Sequence, residues 1–146
     1  MFLVRPIHLL LGELIVYVHG IWASESDAQE QTDRVFLSLD KERYHFPLIG
    51  FSWDSNTAFS LDDLSISKHG WEVAKNIANK NGPLLGKFIL NKNKCPNDKV
   101  RLIALSLGSR VTLSAVQWVC DNGNIIYMVL QQLLGRQSSY LIQPYS

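Results

Sequence analysis

Three short apolar runs, each followed by a stretch with helical spacing, most constrain what this chain can fold into. They occupy residues 14–18, 47–53 and 100–105. Near-continuous apolar runs of this length suit strands covered on both faces. After the first, Ser24 or Ser26 can cap a helix, with Asp27 or Gln29 three residues on, and that helix carries Ala28, Val35, Phe36 and Leu39 towards a sheet. After the second, residues 68–91 place Trp71, Ala74, Ala78, Leu85 and Phe88 near one helical face, with Gly82-Pro83 expected to kink or interrupt the helix. After the third, residues 106–118 turn Val111, Ala115 and Trp118 inward, and Asn122-Gly123 ends that helix. Residues 125–130 read as a fourth strand, and 136–146 as an irregular tail. The alternation predicts a single α/β domain over 1–146, with a mostly parallel, doubly wound sheet and helices on both faces.

Composition narrows the function. With 47% hydrophobic and 18% charged residues among 146, the chain can bury a core of its own. A net charge of +1 with scattered lysines and arginines gives no footprint for nucleic acid. No stretch approaches the ~20 apolar residues of a membrane span. A secretory signal cleaved after Ala23 is disfavoured because Arg5, His8 and Glu13 interrupt the apolar run. Cys95 and Cys120 lie far from each other and from any metal-ligand spacing, so they read as free thiols in a reducing, cytoplasmic setting. No cofactor or metal is expected. Asp62-Asp63 reads as a capping or surface pair, and the stretch from Gly82 to Lys87 is one residue short of a phosphate loop and follows no strand.

The segment that carries chemistry is Ala104-Leu105-Ser106-Leu107-Gly108, between the third strand and its helix. A serine on so tight a strand-to-helix turn is forced into a strained backbone, and the residues two before and two after it must be small. Ala104 and Gly108 meet that need, and the helix that follows points its positive end at the serine. The plainer reading is a serine that caps a helix. His19-Gly20 ends the first strand at the same edge, and His19 reads as a loop-shaping residue rather than a base. Asp54 also ends a strand at this edge and reads equally as pocket lining or as a solvated turn. Trp22 and Trp53 read as pocket walls or packing.

Four segments in order resemble a prokaryotic, largely archaeal group of uncharacterised α/β-hydrolases. They are Val16-Tyr17-Val18-His19-Gly20, Gly50-Phe51-Ser52-Trp53-Asp54-Ser55, Asn81-Gly82-Pro83 and the run from Arg101 to Arg110, and the likeness covers roughly residues 14–118. In that group the residue before the serine is usually histidine, whereas here it is Leu105. The resemblance implies a serine hydrolase acting on a carboxylic ester or related acyl bond of a small molecule. Ser106 would be the nucleophile, with the backbone N–H groups of Leu107 and Ile21 (Trp22 as fallback) as the oxyanion hole and His19, Gly20, Trp22 and Asp54 around the pocket. It also implies an acid and then a histidine after the serine. Here His8, His19, His45 and His69 all precede Ser106, and only Asp121 follows it as a marked acid. The tail after Leu133-Leu134-Gly135 departs from the group's pattern, as a truncated or frameshifted product would. The alternative expectation is therefore a non-catalytic α/β-hydrolase-like fragment, vestigial or protein-binding. Such a fragment would self-associate through an open sheet edge at 125–130.

Overall fold

The computed structural model describes residues 2–4, 13–55, 68–92, 99–122, 129–132 and 139–141. In chain order these form β1 (Phe2–Val4), β2 (Glu13–Val18), α1 (Glu25–Lys41), β3 (Leu48–Phe51), α2 (Lys68–Lys92), β4 (Lys99–Ala104), α3 (Gly108–Asn122), β5 (Val129–Gln132) and β6 (Ser139–Leu141). The strands make one sheet in the order β1-β3-β2-β4-β5-β6. The four inner strands are parallel, and β1 and β6 close the two sides antiparallel. From β2 the chain steps to β3 on one side and then crosses to β4 on the other. The order therefore reverses between β2 and β4, which makes the carboxyl ends of those two strands the switch point of the sheet.

Alternation along the inner strands feeds two cores. Ile15, Tyr17, Leu48 and Ile103 pack on one face with Val35, Phe36 and Leu39 of α1. Val16, Val18, Phe51, Leu102 and Ala104 pack on the other with Ala74, Ala78, Leu85 and Ile89 of α2 and Val111, Ala115 and Val119 of α3. Helices thus cover both faces. Trp71, expected in this core, is 37% exposed and lies at its margin.

Local chemistry sets the helix ends. Of the two capping alternatives, Ser24 with Asp27 forms a complete capping box at α1. At the other end Arg43 takes the left-handed conformation (φ 59°), the Arg43 amide donates to Asp40 and the Tyr44 amide to Leu39. This is a Schellman stop with an arginine where glycine is usual.

Of the two expected outcomes at Pro83, a kink or an interruption, the interruption does not occur: α2 runs through it, and the reason lies in α3. Proline cannot donate to the carbonyl four residues back. That carbonyl, Asn79 O, instead accepts from Ser114 Oγ at 2.8 Å. A Cβ at Gly82 would lie 2.3 Å from Ser114 Oγ, and one at Gly86 would lie 2.7 Å from Trp118. The glycines that superficially suggested a phosphate loop are where two helices touch.

The ends of the sheet correct three expectations. The strand expected at 125–130 is β5, at 129–132, and it is no open edge: β4 pairs with it on one side and β6 on the other. The tail at 136–146 is not wholly irregular, because it supplies β6. An N-terminal strand, β1, escaped the sequence reading. Among the described residues the outer strands are β1 and β6, each three residues long. At the amino ends of β2 and β4, Arg101 Nε lies 2.6 Å from Glu13 Oε1, the Tyr44 hydroxyl donates to the same oxygen, and the Arg101 guanidinium stands 5.3 Å over the Tyr44 ring. His8, Asp62-Asp63, Cys95 and the turn at 95–98 fall outside the described residues. Among the described residues, no helix is long and apolar enough to cross a membrane.

Candidate functional site

The β4–α3 turn is built by backbone constraint. β4 ends at Ala104, and the Leu105 amide extends the ladder by donating to Val18 O at 3.0 Å. Ser106 then takes φ of 50°, a left-handed conformation rare for a residue with a Cβ. α3 starts two residues later, and its first turn is tightened by bonds from the Gly108, Ser109 and Arg110 amides to Leu105, Ser106 and Leu107 carbonyls. Ser109 Oγ also donates to Ser106 O at 2.6 Å, so the strained residue is held from its carbonyl side. A helix-capping serine has extended dihedrals and accepts a bond from the first turn. Ser106 does neither: its backbone is left-handed, and its Oγ has no partner among the described residues.

The small residues are needed for a reason the sequence did not reveal. A Cβ at Gly108 would lie 2.4 Å from His19 O and 2.5 Å from Val18 O, so glycine lets the start of α3 sit against the end of β2. At Gly108 the nearest crowding is therefore with the backbone at the end of β2. A Cβ at Gly20 would lie 3.2 Å from Ser106 Cβ and 3.3 Å from Leu105 O, so the loop after β2 passes directly over the serine.

That loop is pinned at both ends. His19 is 1% exposed and stacks on Trp53 at 5.7 Å. Its Nε2 accepts the Trp53 amide at 3.1 Å, which places the ring proton on Nδ1, where it is donated to Gly20 O at 2.8 Å. The Trp53 indole N–H donates to His19 O at 2.9 Å. Burial lowers the His19 pKa, with the bond to Gly20 opposing it, so the ring is neutral at neutral pH. Both nitrogens are occupied, and neither is offered to Ser106. Further along, buried Ser55 accepts from the Ala23 amide at 3.1 Å and donates to Ala23 O at 3.0 Å. Ser55 was not singled out from sequence; a buried serine just past a strand end carries no pattern of its own.

Between these pins the loop carries two groups of interest. Among the described residues the Ile21 amide has no acceptor, and neither does the Leu107 amide beyond Ser106. Trp22 is left-handed (φ 61°) and 51% exposed. Asp54 is exposed and lines an open groove of about 390 Å³ with Ser24, Glu25, Ser52, Trp53, Ser55 and Asn81. Ser106 is not part of that groove's lining, so Asp54 and the serine share a sheet edge but not a described cavity.

The other histidines are placed as follows. His45 pairs with Asp40 at the far end of α1, 3.0 Å apart. His69 lies in the first turn of α2. Because Asn79 is level with Arg110 and Ser114 of α3, the turns of α2 before it lie towards the carboxyl edge of the sheet, with His69 about 15 Å along the axis from Asn79. No group of three metal-ligating side chains occurs among the described residues. No protein-family model, curated protein or solved structure matches the chain.

Proposed function

We propose that this chain is a partial α/β-hydrolase-like core that presents Ser106 as an acyl-accepting nucleophile towards a small ester or related acyl compound. The observation that carries this reading is the left-handed backbone of Ser106 at a strand-to-helix turn, at the sheet's topological switch point. Strain of this kind costs on the order of 1–3 kcal/mol and persists where the surroundings over-determine it. Here they do, through Gly108, Gly20 and Ser109. In the proposed step Ser106 Oγ bonds to the acyl carbon and the carbonyl electron pair moves onto its oxygen. The Leu107 and Ile21 amides face that charge at the positive end of α3. Collapse breaks the ester C–O bond, the alcohol leaves with a proton, and water later cleaves the acyl-serine.

The serine's own proton has no acceptor among the described side chains, since His19 is fully engaged. The rate therefore depends on hydroxide or on a base from outside the described residues, and full triad activation is not expected. This same observation favours a second reading, a non-catalytic α/β-hydrolase-like module that keeps the turn and has lost the chemistry.

A fluorophosphonate probe with intact-mass readout separates the two. Labelling of the parent but not of Ser106→Ala supports the nucleophile, and its rate is expected to rise with pH without a plateau near 7. A plateau would mean that a histidine acts, and His69→Gln would be the first variant to test. No labelling of a chain shown to be folded would leave the non-catalytic module.

A further inference from the structure

We infer that Ser109 is a positioning residue for the oxyanion hole: by holding Ser106 O, its hydroxyl aims and strengthens the Leu107 N–H on the other side of the same peptide. This rests on the reading of Ser106 as nucleophile. Ser106 O accepts twice from one residue, from the Ser109 amide at 3.0 Å and from Ser109 Oγ at 2.6 Å. Ser106 O and the Leu107 N–H belong to one planar peptide unit, which is trans, so the two groups point in opposite directions. A unit gripped by its carbonyl from inside the first turn of α3 therefore turns its N–H out of the helix start. Among the described residues that N–H has no acceptor.

The hydroxyl bond is more than the turn requires. Ser106 O already has a donor in the Ser109 amide, and Ser109 is only half-buried, so water could take its hydroxyl instead. What the second bond adds is polarity and stiffness. A hydrogen bond at the carbonyl draws electrons towards its oxygen and leaves the N–H of the same peptide a better donor, by roughly 10–30% per bond. Rotation of this peptide plane is the motion that would lose the donor, and two bonds to one oxygen resist it. An oxyanion donor lowers the barrier only when it is already aimed before charge develops. Removing the hydroxyl keeps the amide bond, and with it the turn, but loosens and weakens the Leu107 N–H.

The test uses diethyl 4-nitrophenyl phosphate and its thiono counterpart, in which P=S replaces P=O. Ser106 Oγ bonds to phosphorus, 4-nitrophenolate leaves with the electron pair of the broken P–O bond, and the serine proton passes to hydroxide. Charge develops on oxygen in one probe and on sulfur, a weak acceptor, in the other. Second-order labelling rates at Ser106 are compared in the parent, Ser109→Ala and Ser109→Thr, with intact mass as the readout and melting temperatures to confirm folding. Threonine keeps a hydroxyl that can bond the carbonyl three residues back. The oxo-to-thiono rate ratio is expected to fall about fivefold in Ser109→Ala, a fraction of the 10²–10³ lost with a whole donor, and to return in Ser109→Thr. An unchanged ratio in folded Ser109→Ala, even if both rates fall together, overturns the positioning role and leaves Ser106 standing. A lowered ratio that folded Ser109→Thr does not restore overturns the part given to the hydroxyl. If Ser109→Thr does not fold, the ratio in Ser109→Ala decides alone. Labelling of the folded parent by neither probe overturns both readings.

Discussion

Replacing Gly108 by alanine sets two effects of opposite sign against each other. Alanine is favoured over glycine within a helix by about 1 kcal/mol, so propensity alone predicts a more stable protein. The tertiary structure predicts the reverse. The new Cβ would lie 2.4 Å from His19 O and 2.5 Å from Val18 O, whereas real Cβ contacts stay beyond 3.0 Å. The start of α3 must therefore retreat from β2 by at least 3.0 less 2.4, or 0.6 Å. Neither side can give by turning a side chain, because both oxygens are backbone. Val18 O also holds the Leu105 amide, and His19 O holds the Trp53 indole. Overpacking of this kind costs about 1–3 kcal/mol, and rigid neighbours put Gly108→Ala at the upper end. After the propensity gain the net loss is about 1–2 kcal/mol, or roughly 5 °C in Tm for a chain of this length. Urea and thermal unfolding followed by far-ultraviolet circular dichroism would measure it. A variant as stable as the parent, or more stable, would refute the claim that backbone contact with β2 fixes this residue.

Three further outcomes are expected. Ser106→Gly should be more stable than Ser106→Ala by about 1 kcal/mol, since only glycine relieves the left-handed strain; equal stabilities in chemical denaturation would mean that the turn carries no strain. Arg43→Gly, at the Schellman stop of α1, should stabilise the chain by about 0.5–1 kcal/mol on the same ground, and a loss in the same assay would count against it. The Tyr44 hydroxyl is pushed up to about 12, first by burial and then by its bond to Glu13. The folded state therefore holds this proton more tightly than the unfolded chain, and the contribution is complete below pH 10 and disappears as pH rises through about 12. Unfolding free energies should fall more steeply over that interval in the parent than in Tyr44→Phe, and parallel curves would remove the group from the account.

Much of the fold was legible because it rests on periodicity. The apolar runs marked β2, β3 and β4, the 3.6-residue patterns marked the three helices, and the Ser24–Asp27 pair marked the start of α1, since each is a local property of consecutive residues. The strand-to-helix turn at Ser106 was legible for the same reason: a strand, a small-residue turn and a helix follow one another in sequence. Other features were decided only by contacts between distant segments. Pro83 reads as a helix breaker, yet Ser114, 31 positions on, takes up the carbonyl it orphans. Gly108 reads as half of a local small-residue pair, yet its partner is the end of β2. His19 reads as a loop-shaping residue from its place beside Gly20, but its tautomer and the occupation of both nitrogens depend on Trp53 across the sheet edge. The short edge strands β1 and β6 carry no alternation long enough to recognise, because their order comes from pairing with β3 and β5. Sequence determined the elements and the position of the strained serine, because backbone propensity and hydrophobic period act over a few residues. The tertiary structure decided which polar groups are satisfied, because a hydrogen bond depends on where two atoms meet and not on how far apart they lie in the chain.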